Sequence, residues 1–164
     1  MSMHRPFKQE FAQTTPASFI KRLMAMVYDS LLVIALWMII GGIGVALNNG
    51  EAISLETSPH STVALFNSAL FCATFLFFGF FWTRNGQTLG MLAWHLRVQT
   101  LAGGRLSWRQ ALLRFFLAIP SLGLFGLGLI WMLFTDERLS LHDRWSGTCM
   151  VQLPKPEKKK KKKN

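Results

Sequence analysis

The stretch Phe19–Leu47 reads FIKRLMAMVYDSLLVIALWMIIGGIGVAL, and no charge occurs from Ser30 to Asn49. As one helix it runs ~44 Å at about 1.5 Å per residue, longer than the roughly 30 Å hydrocarbon core of a bilayer. It has no continuous polar face for water, so a core helix of a soluble protein fits it poorly. Arg5, Lys8, Lys21 and Arg22 precede the apolar run in the manner of a signal-peptide n-region. The run is nevertheless longer than the roughly 7–15 residues of an h-region. The reading is an uncleaved transmembrane helix over about residues 19–47.

A second charge-free stretch, Ser61–Thr83, reads VALFNSALFCATFLFFGFFWT from Val63 and has the length of one crossing, about residues 61–83. Its phenylalanines, Phe71, Phe75, Phe77, Phe78, Phe80 and Phe81, read as lipid-facing or packing groups. Composition agrees with both readings. The 164 residues are 51% hydrophobic and 16% charged, where soluble domains carry roughly 25% charged residues. Residues 155–164 hold seven lysines and Glu157, six of the ten net positive charges, so the remainder of the chain is only +4. The basic balance belongs to the tail.

The third apolar region, Ala111–Phe134, contains Arg114, Pro120 and the glycine-rich run SLGLFGLG. Its uncharged part, Phe115–Thr135, suffices for one crossing. Pro120 and the glycines Gly123, Gly126 and Gly128 also permit a break and a tight turn. Charge placement chooses among these alternatives. The connection Asn48–His60 has two glutamates and no Lys or Arg, whereas Arg84–Arg114 has five arginines and no acid. By the positive-inside rule the N-terminus and the 84–114 connection are cytoplasmic. A single third crossing would export Arg138, Arg144 and the lysine tail, so a re-entrant or doubled region over about 108–135 is expected, with both termini cytoplasmic.

Leu96–Thr100 (LRVQT) and Thr148–Leu153 (TCMVQL) alternate in the manner of strands, and a small cytoplasmic sheet joining them is expected. Between the second helix and the first strand, Leu89, Leu92 and Leu96 fall at helical spacing beside Trp94 and His95, which reads as a short interfacial helix. Gly86 and Gly90 have the spacing of a helix-dimerisation pattern but sit at a loop and carry little weight. The fold class is an all-α integral membrane protein with a small β element. The expected organisation is an N-terminal segment 1–16, a membrane domain 17–153 and a polylysine tail 154–164.

An ionisable side chain within an apolar helix is a functional candidate by default. Asp29 is that residue in the first helix, seven positions past Arg22 and on the same face, about 10 Å further along the axis. On an ideal helix the two are too far apart for a direct pair, although a third partner or a water would bridge them. Asp29 either pins helices through a hydrogen bond or takes part in ion coupling. Asp143, in His142-Asp143-Arg144, sits among a proton donor and a cation, but neither Ser140 nor Ser146 is marked as an activated nucleophile. Capping a turn, or pairing with Arg22, Arg109 or Arg114, is the favoured role for Asp143. No catalytic residue is assigned.

The pattern Arg22-x-x-Ala25-x-x-x-Asp29, then Gly86-Gln87-Thr88-Leu89-Gly90 before Leu96-Arg97-Val98, resembles the RDD family. So do Leu106-Ser107-Trp108-Arg109-Gln110-Ala111-Leu112-Leu113-Arg114 and His142-Asp143-Arg144-Trp145-Ser146-Gly147-Thr148, with Trp145 and Ser146 standing where the family pattern has Leu and Ala. The resemblance covers roughly residues 17–153. It implies a bacterial inner-membrane protein whose one arginine and two aspartates correspond to Arg22, Asp29 and Asp143, and ion transport is suggested for some members. The three are expected to converge near the cytoplasmic side, with His142, Arg144, Arg109 and Arg114 as secondary candidates.

The remaining features exclude more than they assign. The four histidines lack metal-ligand spacing, no phosphate-binding glycine loop stands in a strand–helix context, and no cofactor is indicated. Cys72 and Cys149 fall on different segments and are not expected to pair. Lys158–Lys163 is expected to lie near anionic lipid. Nucleic acid is a poorer partner, because no aromatic residues interleave the lysines. Two functional readings stand: ion-coupled or small-solute transport using Arg22, Asp29 and Asp143, or a structural or regulatory membrane partner in which the three only stabilise the fold. A transporter this small needs a homo-oligomer or a membrane protein partner.

Overall fold

The computed structural model describes residues 14–123, 126–135 and 138–154. The polylysine tail, and Arg5 and Lys8 of the N-terminal segment, lie outside the described residues. Helix α1, Phe19–Leu47, ends where Asn49 and Gly50 take positive φ values of 55° and 87°. Helix α2, His60–Arg84, starts immediately after Pro59 and ends at Asn85, before Gly86 at φ 68°. Only 11% of the most apolar window of each helix is buried, so packing among the described residues does not account for their hydrophobicity. Both are long and apolar enough to cross a bilayer.

Glycine and proline divide the third apolar region. Helix α4, Trp108–Gly123, contains Pro120 in its last turn and is followed by the four-residue helix α5, Leu127–Ile130, and a 3-10 turn, Trp131–Leu133. A continuous helix over about 108–135 is therefore not formed. Pro120 lacks an N–H for the helical ladder, and Gly126 has a φ of 75°, which side-chain-bearing residues seldom adopt. A Cβ on Gly128 would strike Ser121, so α5 packs directly against the end of α4. Helix α6, Leu141–Ser146, then returns to pack on α4.

Aromatic side chains join α2 to α4. The Phe115 ring lies 5.4 Å from Phe75 and 5.5 Å from Phe71, both in edge-on arrangements. Trp108 covers Gly79 so closely that a Cβ there would meet its ring at 2.8 Å. These phenylalanines therefore include packing groups as well as surface ones.

The chain also forms a three-stranded antiparallel sheet in the order β1-β3-β2, made of Thr15–Pro16, Thr148–Gln152 and Leu96–Thr100. The two longer strands pair Leu96 with Gln152, Val98 with Met150 and Thr100 with Thr148. Helix α3, Leu89–Ala93, is shorter than its leucine spacing predicts. His95 takes a left-handed φ of 54°, which turns the chain and places Leu96 in the sheet, away from the exposed Leu89 and Leu92. Buried apolar residues cluster where the sheet meets the helices, around Ala25, Trp82, Met91, Leu96, Val98 and Phe115. The core is at one end of the bundle.

Candidate functional site

At this junction α6 presents Asp143. Ser140 caps the helix: its Oγ accepts the Asp143 N–H, and the Asp143 carboxylate accepts the Ser140 N–H. The same carboxylate is held between two guanidiniums. Arg22 Nη1 donates to Oδ2 at 2.5 Å, and Arg114 Nη1 donates to Oδ1. Asp143 is wholly buried, and the two arginines are 1% and 2% exposed. Removing three charges from water is costly, and only complete hydrogen bonding offsets it.

Both arginines have further partners. Arg22 donates to the carbonyl oxygens of Ala17, Arg138 and Met150 at 3.1–3.2 Å. Arg114 donates to Thr148 Oγ1 at 2.7 Å and lies 5.3 Å over the Trp82 ring. One carboxylate and two guanidiniums thus tie the first turn of α1, the middle of α4, the start of α6 and strand β3 together. Burial alone raises the Asp143 carboxyl, but Arg114 and then Arg22 outweigh it and hold the group well below the usual carboxylate range.

Asp29 belongs to a different centre. Its Oδ2 accepts the Thr88 hydroxyl at 2.5 Å, and its Oδ1 accepts the Gly90 N–H at 2.9 Å. Thr88 in turn caps α3, its Oγ accepting the Met91 N–H at 3.2 Å. Asp29 is 3% exposed and, among the described residues, forms no ion pair. The expected convergence of Arg22, Asp29 and Asp143 on one network is therefore corrected: Arg22 and Asp143 meet, and Asp29 stands apart. Seven residues of helical rise separate Arg22 from Asp29 by about 10 Å, and the chain supplies Asp29 with neutral donors of its own.

The secondary candidates divide in the same way. Arg114 is the second partner of Asp143, whereas Arg109 and Arg144 are exposed. His142 is buried, its Nδ1 3.1 Å from Ser121 Oγ and its Nε2 3.0 Å from Ser140 Oγ. Burial, then the positive charge of Arg114, pushes it down to about 3 despite the opposing effect of Asp143. An imidazole that is harder to protonate when folded takes up fewer protons than the unfolded chain between that value and about 6.5. Its contribution is complete above about pH 6.5 and is lost as pH falls. Between pH 6.5 and 5 this amounts to about 2 kcal/mol. Comparing His142→Gln with the parent in melts across that range should show a flatter pH dependence in the variant.

Thr88, Gly90, Thr148 and Ser121 are site residues that the charge pattern did not reveal. Thr88 had a readable signal, a threonine in the N-cap position before a short apolar helical pattern. Gly90 had its spacing from Gly86, although its role is a close approach within the chain. A Cβ on Gly90 would strike the Ala25 carbonyl oxygen and lie 2.8 Å from Asp29 Oδ1.

Above Asp29 opens a cavity of about 490 Å³, between α1, α2 and α4. Asp29, Arg114 and His142 line its polar part, and Val33, Trp37, Phe78, Phe115 and Ile119 are among its apolar walls. Its volume falls in the range of small-molecule pockets. Among the described residues, no group of three or more His, Cys, Asp or Glu side chains is arranged to hold a metal ion.

No curated protein and no solved structure matches the chain. The family model described as RDD family matches residues 16–147, which include Arg22, Asp29 and Asp143 and run from the first strand to the end of α6. With that match over most of its length and two bilayer-length apolar helices, the protein is a membrane protein and belongs to the RDD family.

Proposed function

We propose that this protein binds and moves a small solute through the cavity beside Asp29, while the Arg22–Asp143–Arg114 network holds the fold. The observation that carries this reading is a buried carboxylate with no ion pair among the described residues, lining a cavity of about 490 Å³. A carboxylate so placed is available for a solute or coupling ion, whereas Asp143 has its charges already satisfied. Proteoliposomes of the pure protein provide the test, with proton, alkali-cation and organic-solute flux as readouts. Asp29→Asn is expected to insert and fold yet lose flux about tenfold or more. A folded Asp29→Asn protein with unchanged flux would overturn the transport reading.

The alternative is a structural or regulatory membrane partner. It is favoured by the Arg22–Asp143–Arg114 network, which is buried, pairs both oxygens of its carboxylate with a guanidinium and ties together four elements.

The proposed setting is a bacterial inner membrane, with residues 17–153 as the membrane domain and both termini in the cytoplasm. The five arginines between Arg84 and Arg114 support this orientation. The 16-residue α4 spans about 24 Å at ideal rise, less than a bilayer core, and α6 returns to its side, both of which favour re-entry over a third crossing. A reporter fused after Leu153 should therefore give a cytoplasmic signal, and a periplasmic one would establish an odd number of passes. Anionic lipid as the partner of Lys158–Lys163, and a homo-oligomer or membrane protein partner for the exposed apolar helices, complete the proposal.

A further inference from the structure

The chemistry of the cavity narrows what it accepts. Asp29, Val33 and Trp37 follow one another at one-turn intervals along α1, so the lining changes from charged to aromatic over about 12 Å. Helix α4 changes in the same sense, from Arg114 through Phe115 and Ala118 to Ile119. The space is thus amphipathic, with its polar end near the sheet.

Of the charges at that end, Arg114 has its Nη1 engaged by Asp143 and Thr148 and its counter-charge in Asp143, and His142 is engaged by two serine hydroxyls. Asp29 has two hydrogen-bond donors and, among the described residues, no cation. A bare inorganic cation fills little of about 490 Å³ and leaves the aromatic wall unused. An ammonium on an aryl or alkyl body satisfies both parts: its head pairs with the carboxylate and its body lies against Trp37, Phe78 and Phe115.

We propose that the cavity between α1, α2 and α4 binds amphipathic organic cations, with the Asp29 carboxylate as the head-group site. This rests on the reading of the cavity as the solute site, and deepens it by naming the class of solute.

The test is equilibrium dialysis of phenylbutylammonium, phenylbutanol and phenylbutyrate against the full-length protein in zwitterionic lipid nanodiscs, with empty nanodiscs subtracted. The ammonium is expected to bind about tenfold or more tighter than the alcohol, the size of one hydrogen-bonded charge pair, and the carboxylate most weakly. Asp29→Asn should reduce the ammonium to the level of the alcohol. Ala118→Trp, which leaves Asp29 in place and occupies the apolar end, should weaken ammonium and alcohol alike. Equal binding of the three probes, preference for the carboxylate, displacement of the ammonium by millimolar sodium, or an Asp29→Asn protein that keeps the preference would each overturn the proposal. Binding without flux would leave this site standing and remove the transport reading. Flux of an inorganic ion without ammonium binding would do the reverse.

Discussion

Asp143→Ala should lower stability by about 3–5 kcal/mol, because it leaves two buried guanidiniums without their shared counter-charge. Arg22 keeps its three backbone acceptors, and Arg114 keeps Thr148 and the Trp82 ring, but neither set neutralises a charge. The capping box of α6 goes at the same time, since Asp143 is both its third residue and the acceptor for the Ser140 N–H. Asp143→Asn keeps shape and one acceptor and should fall between the alanine variant and the parent. Arg109→Ala and Arg144→Ala, at exposed positions, should stay within about 0.5 kcal/mol. Melting of the detergent-purified variants, followed by size-exclusion chromatography, checks the series. An Asp143→Ala protein that melts with the parent would mean that the network contributes nothing net to the fold. The carboxyl of Asp143 is depressed on folding, so its stabilisation is full above about pH 4 and is lost as pH falls through the folded value.

The second large effect is expected at Gly90. Its substitution by alanine places a methyl group against the Ala25 carbonyl oxygen, a backbone atom on α1 that cannot swing aside as a side-chain end would. Helix α3 must therefore shift outward, and the Gly90 N–H leaves Asp29 Oδ1. Overpacking and loss of a hydrogen bond to a carboxylate together should cost about 3 kcal/mol. Thr88→Val removes only the hydroxyl donor and the cap, with no clash, so its cost should be smaller, about 2 kcal/mol. Thermal melts of both variants test this ranking. A Gly90→Ala protein as stable as the parent would show that α3 is loosely seated on α1.

Much of the architecture is legible in the sequence because burial in lipid leaves a plain mark. Residues 30–47 and 61–83 contain no charge, and α1 and α2 cover them. The alternation in Leu96–Thr100 and Thr148–Leu153 reads as two strands, and they pair with each other, although Leu96–Thr100 is buried at every position and not on one face alone. The strand Thr15–Pro16 leaves no such mark. Two residues, one of them proline, show no period, and only the pairing with Val151 and Gln152 makes them a strand. The site is legible to the extent that charge reveals it. Arg22, Asp29 and Asp143 stand out as ionisable groups in an apolar domain, but spacing along one helix does not reveal which partner each finds. The donors to Asp29 are a hydroxyl and a backbone N–H, neither of which carries charge, and both come from about 60 positions away. The break between α4 and α5 is signalled by Pro120 and the glycines, but the return of α6 onto α4 depends on the tertiary pairing of Arg114 with Asp143.

The sequence separation within the arginine–aspartate network has a consequence for biosynthesis. Arg22 and Asp143 are 121 residues apart, and one of the acceptors of Arg22, the Met150 carbonyl, is 128 residues away. At about 5–20 residues per second of translation, Arg22 is added to the chain roughly 6–24 s before its carboxylate is synthesised. The first helix is therefore made well before the carboxylate that its guanidinium pairs with. A nascent chain that stops short of α6 carries two cations with no carboxylate between them. Assembly is thus sealed last, when the end of the domain comes back to the residues made first.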